Sequence, residues 1–178
     1  MLVELGLLGS PKRGIIVQTR RGTSLANFLA PPPDHQAKLT YASFRARFGM
    51  RWRMRTDASG VYNCAGLVWA SRRTCLTEES EWRAILKEDE YRRITSEREV
   101  AVGDVVVYVR RGSNEIIHVA KVCEKISMAG AGLEGARPVL KALSKWDNRY
   151  GEDVHAIEDV FLNGGEAFDV EYWTDRKN

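Results

Sequence analysis

The sequence predicts an α+β protein whose helices precede an antiparallel sheet, and three observations carry that prediction. The chain is 178 residues long, enough to bury most of its apolar surface around a single core. Helix-period patterning gives way after Val102 to β-branched runs separated by turns. Helices first and strands afterwards is the order of an α+β fold, and no internal repeat is apparent.

Residues 1 to about 56 have weak periodicity. Pro31-Pro32-Pro33 fixes φ and removes three donors, so neither helix nor sheet runs through it. This stretch is expected to be an N-terminal arm or linker, with a candidate short strand around Ile15 to Val17, and residues 57–178 are expected to form the main domain. Asn63 is placed to cap a short helix carrying Cys64, Ala65, Leu67 and Val68. Thr77 then precedes Glu78, Glu79 and Glu81, acidic residues that favour a helix first turn, and Trp82, Ile85 and Leu86 supply an apolar stripe. That helix is expected to run to about Arg93.

Val105 to Val109 reads as a buried strand, Arg111 to Asn114 as a turn, and Ile116 to Val122 as the strand's partner. Gly130, Gly132 and Gly135 suggest a flexible connection to a third strand at Val139 to Leu143. Phe168, Val170 and Tyr172 alternate in a last strand.

Hydrophobic residues at 44% and charged residues at 29% are the balance of a folded globular chain rather than a disordered one. No apolar run reaches the roughly 18 to 20 residues of a membrane span. Leu2 to Leu8 is followed, not preceded, by Lys12 and Arg13, so no export signal is expected. Three cysteines, Cys64, Cys75 and Cys123, are too few for a stapled secreted scaffold, and a reducing, cytoplasmic setting fits them best. No ligand spacing for a structural metal occurs, and neither metal nor cofactor is expected.

The formal charge of +3 is unevenly spread. Arg45, Arg47, Arg51, Arg53 and Arg55 crowd before Cys64, interleaved with Phe44, Phe48 and Trp52. That combination could meet nucleic acid or an acidic partner, which calls for both charge neutralisation and stacking. It could equally be the solvated face of a half-buried strand or helix.

A thiolate is the reactive form of cysteine and needs surroundings that favour negative charge. The first turn of a helix supplies them through unpaired N–H groups and the macrodipole, and the same amides could hold an oxyanion. Cys64 has that setting; Cys75 and Cys123 do not. Of three histidines, His35 adjoins the prolines, His155 follows a polar run, and His118 opens an apolar strand beside a turn. His118 is the best-placed base.

Asn63-Cys64-Ala65-Gly66-Leu67-Val68 resembles the nucleophile helix of NlpC/P60-type cysteine peptidases in the papain-like clan. Gly103-Asp104 leading into Val105 to Tyr108, and Ile117-His118-Val119-Ala120, resemble that family's Gly-Asp strand and His-bearing strand. Ser144-Lys145-Trp146 with Gly151-Glu152 is similar to the Asn-Ser-Trp-Gly and Gly-Glu run of papain-type enzymes. The resemblance spans residues 57 to 160 and implies a nucleophile helix packed on an antiparallel sheet, making 57–178 a papain-like catalytic domain. It also implies Cys64 as nucleophile, His118 as base, and Ser144 where the family carries its orienting Asn. Asp147 replaces the expected glycine and could orient the imidazole more strongly if it points inward; His155 is a third candidate. The Cys-Gly-Ser-Cys-Trp signature is absent, so ordinary endopeptidase specificity does not transfer with the fold.

The expected function is therefore thiol-dependent hydrolysis of a peptide or isopeptide amide through a covalent acyl-enzyme, with a related acyltransferase reading alike. The alternative is a non-catalytic module binding nucleic acid or an acidic partner through Arg45 to Arg55.

Overall fold

A computed structural model describes residues 12–13, 15–126, 137–160 and 167–177. Strands β1 (Lys12–Arg13) and β2 (Asn27–Leu29) precede helix α1 (His35–Phe48), a 3-10 turn (Gly49–Arg51) and β3 (Arg53–Met54). Helix α2 (Cys64–Trp69), β4 (Cys75–Leu76), α3 (Glu79–Glu88) and β5 (Arg92–Ile94) follow. The remaining strands are β6 (Val105–Arg110), β7 (Ile116–Ile126), β8 (Val139–Lys145), β9 (Glu152–Ala156) and β10 (Phe168–Thr174). The Gly130, Gly132 and Gly135 connection lies outside the described residues.

The α+β class is observed. A seven-stranded sheet runs β3-β9-β8-β7-β6-β10-β5, antiparallel throughout, and a small sheet joins β1, β2 and β4. Strand β6 is buried on both faces, which is why it reads as a continuous apolar run. Val105, Val107 and Val109 face Ala65 and Val68 of α2 and Trp82, Ile85 and Leu86 of α3. Val106 and Tyr108 face the opposite way, into a second cluster with Ala120, Val122, Leu140, Ala142 and Tyr172.

Four elements differ from expectation. The supposed arm or linker holds α1, whose start is fixed by the Asp34 carboxylate accepting the Ala37 N–H at 2.7 Å. It also holds β3, which pairs with β9 in the main sheet. The short strands fall at Lys12–Arg13 and Asn27–Leu29; Ile15 to Val17 belongs to no strand, although Val17 accepts the Leu25 N–H. Helix α3 stops at Glu88 rather than Arg93, because Glu90 takes φ 61°, a left-handed turn that α-helix cannot continue through. The chain then enters β5.

The Gly-Asp pair before β6 is a structural latch. Gly103 takes φ 99°, and buried Asp104 accepts the Ala101 N–H at 2.7 Å while pairing with Arg176 at 2.8 Å.

Candidate active site

Helix α2 is short, and its start is set by one side chain. Asn63 Oδ1 accepts the Gly66 N–H at 2.9 Å and the Leu76 N–H at 3.1 Å, while its Nδ2 donates to the Leu76 carbonyl at 2.7 Å. One residue therefore caps the helix and ties it to β4. Gly66 packs so closely on the Thr74 carbonyl that any Cβ would overlap it. Cys64 occupies the first helical position. Three backbone N–H groups, those of Val119, Ala65 and Cys64 itself, face its sulfur and favour the thiolate. Burial outweighs them and pushes the thiol up to about 11. The depressed value expected of a helix start is not realised: a six-residue helix has a small dipole, and the desolvated anion costs more than three N–H groups return.

The histidine side is built from side chains. His118 Nε2 lies 3.0 Å from Ser144 Oγ, and the same oxygen lies 2.8 Å from His155 Nε2. His155 Nδ1 meets the Ala156 carbonyl at 2.6 Å. A carbonyl only accepts, so His155 Nδ1 carries the proton and Nε2 is an acceptor. Ser144 must then donate to His155 and accept from His118 Nε2–H. His118 Nδ1 is consequently the bare, basic nitrogen. Ser144 is fully buried, and desolvation lowers His118 to about 3 and His155 to about 4, each ring neutral at ordinary pH.

The Trp146 indole lies face to face with His118, ring centroids 4.8 Å apart and planes within 7°. Both rings line a cleft of about 550 Å³. Thr77, Glu79, Trp82, Phe44, Asp147, Arg149 and Tyr150 line it as well.

The structure thus brings together His118, Ser144 and His155. Asp147 is not among them: its carboxylate accepts from the Arg149 backbone N–H at 3.0 Å and from Arg149 Nε at 3.3 Å. Cys64 and His118 are approached differently. The thiol meets the N–H of Val119, whose side chain belongs to the helix-facing cluster, while the His118 ring lies against Tyr108, which belongs to the other cluster. No hydrogen bond joins the two among the described residues. His35 is exposed at the start of α1.

No family model, curated protein or solved structure matches this chain. What the site can do rests on its own geometry.

Sequence reasoning missed Lys145 as a site neighbour. This fully buried lysine donates to the carbonyls of Ser59, at 2.8 Å, and Tyr150, with Nζ 4.9 Å from the Tyr62 ring centroid. Desolvation lowers it to about 8. Nothing local marks it, because β8 is buried on both faces here and Ser144 beside it is buried too. Cys75 and Cys123 are free thiols whose sulfurs approach the carbonyls of Val61 and Lys141.

The arginine-rich stretch is largely neutralised within the chain. Arg45 pairs with Asp153 at 3.0 Å, Arg51 with Asp159 at 3.0 Å, Arg53 with Glu124, and Arg55 with Glu152 at 3.5 Å. The Arg47 guanidinium lies over Phe44. No helix of the described residues is long and apolar enough to cross a membrane.

Proposed function

We propose that this chain is a thiol-dependent amide hydrolase of the papain-like type, with Cys64 as nucleophile and His118 as base, acting on a peptide or isopeptide bond. The observation that carries the reading is the imidazole bonded through Nε2 to a buried hydroxyl under a stacked indole, which leaves Nδ1 free to take a proton. Cys64 at the first position of a capped helix that packs against β7 supports it further. His118 Nδ1 removes the thiol proton, Cys64 Sγ adds to the amide carbon, and helix-start N–H groups stabilise the oxyanion. The imidazolium protonates the leaving amine, and water then hydrolyses the thioester. A high thiol value and a low imidazole value describe a neutral resting pair, so deprotonation accompanies substrate entry. Catalytic hydrogen bonds that are absent without substrate commonly close in the Michaelis complex.

A thiol-directed amide mimic tests this directly. Labelling should fall on Cys64, disappear in Cys64→Ala, and slow at least about a hundredfold in His118→Ala. Equal labelling of Cys75, or labelling of Cys64 indifferent to His118, rejects the pair. The binding-module reading has less support, because four of its five arginines already hold carboxylates of this chain.

A further inference from the structure

The aromatic residues Tyr41, Phe44, Phe48 and Trp52 recur at steps of three and four, the spacing of one helix face. All four are engaged with the site loop or with each other. Tyr41 stacks on Tyr150 with centroids 5.4 Å apart, and Phe44 meets the same ring edge-on at 5.6 Å. Phe48 lies on Trp52 at 3.9 Å and 7°, and Trp52 lies on Trp146 at 4.6 Å and 4°. Trp146 in turn lies on His118. Four rings, Phe48, Trp52, Trp146 and His118, therefore form one nearly parallel column that starts at the end of α1 and finishes on the imidazole.

The polar contacts show which ring holds the column. The Trp146 Nε1–H is buried and has no hydrogen-bond partner among the described residues, so no polar bond fixes that indole; its two faces do. Trp52 is different. It is 3% exposed, its Nε1 donates to the Asp159 carbonyl at 2.9 Å, and the neighbouring Arg51 pairs with the Asp159 carboxylate. The anchored indole presses the unanchored one onto the base.

We propose that Trp52, backed by Phe48, is a positioning residue for His118 that acts through Trp146, so that the segment carrying α1 and β3 is part of the active site. The proposal rests on the reading of His118 as base. One hydrogen bond through Nε2 leaves the imidazole free to tilt about that bond; a face-to-face indole removes the tilt and excludes water. The same indole face stabilises the imidazolium when the thiol proton arrives. Other titratable groups facing the ring are His155 and Tyr108.

The test uses the full chain and two readouts, the His118 Cε1–H titration by NMR and the second-order rate of Cys64 alkylation. In Trp52→Ala, water reaching the ring should raise the His118 midpoint by about one pH unit or more, and lost alignment should slow alkylation about tenfold. Trp52→Phe, which keeps a flat ring in the column, should recover both to within about twofold of wild type. A folded Trp52→Ala protein with wild-type titration and rate overturns the proposal, as does a Trp52→Phe protein no better than Trp52→Ala. If Trp52→Ala does not fold, Phe48→Leu decides: an upward His118 shift of a few tenths of a pH unit supports the column, and an unchanged titration overturns it. A shifted titration without any change in alkylation keeps Trp52 as the positioning residue and instead rejects His118 as the base for Cys64.

Discussion

His118 lies in β7 and Cys64 meets the N–H of the next residue, Val119, yet the two are held by different means. The imidazole is fixed on two sides by side chains: a hydroxyl bonded to a second imidazole, and a column of flat rings. The thiol is placed by one amide side chain and by backbone, through the Asn63 cap, the Gly66 contact with Thr74 and the N–H of Val119. His118 therefore has one geometry and one tautomer, whereas Cys64 has a fixed location and a thiol that burial keeps protonated. Preorganisation is concentrated on the histidine side.

The strongest way to break this asymmetry is Ser144→Ala. It leaves His118 Nε2 and His155 Nε2 buried and unpaired, which should cost about 1 to 3 kcal/mol of stability. It should also slow Cys64 labelling roughly tenfold to a hundredfold, read by urea denaturation and by labelling kinetics. A stability loss with unchanged labelling would mean that the relay is structural only.

Acid provides the next largest effect. Burial lowers both rings below their ordinary value, so between about 6.5 and their folded values the unfolded chain binds protons that the native one refuses. Their contribution to stability is complete above about pH 6.5 and is lost as pH falls towards 4 and then 3. The slope reaches at most about 1.4 kcal/mol per pH unit for each ring. His155→Gln should flatten the drop in urea midpoint between pH 7 and pH 5 by about half.

Asn63→Ala probes the other side and should do least. Loss of the cap costs about 1 kcal/mol, with a lower urea midpoint. The His118 titration should stay where it is, since none of Asn63's hydrogen bonds reaches the base side.

What was legible in the sequence follows from how local each element is. Asn63 announces α2 because an N-cap acts over three residues, and β6 announces itself because both its faces are buried. Helix α1 was opaque: its packing stripe is aromatic, interleaved with arginines, and its partners Tyr150 and Asp153 lie a hundred residues away in sequence. Strand β9 has no apolar run to announce it, because it carries Glu152, Asp153 and His155. Each is buried only because a remote group meets it: Tyr62 and Arg72 for Glu152, Tyr41 and Arg45 for Asp153, and Ser144 for His155. Within the site, His118 and Ser144 could be singled out by motif. Asp147 could not be judged, since its partner Arg149 was as visible as any other arginine.

The pairing of β3 with β9 bears on how the protein is made. A strand near the start of the chain must wait for one near its end, and closing so long a loop is slow compared with forming hairpins such as β6 and β7. Until β9 leaves the ribosome, Arg45, Arg55, Tyr41 and Tyr62 lack the carboxylates they will hold. The nascent chain thus carries Cys64 long before His118, Ser144 and His155 can meet.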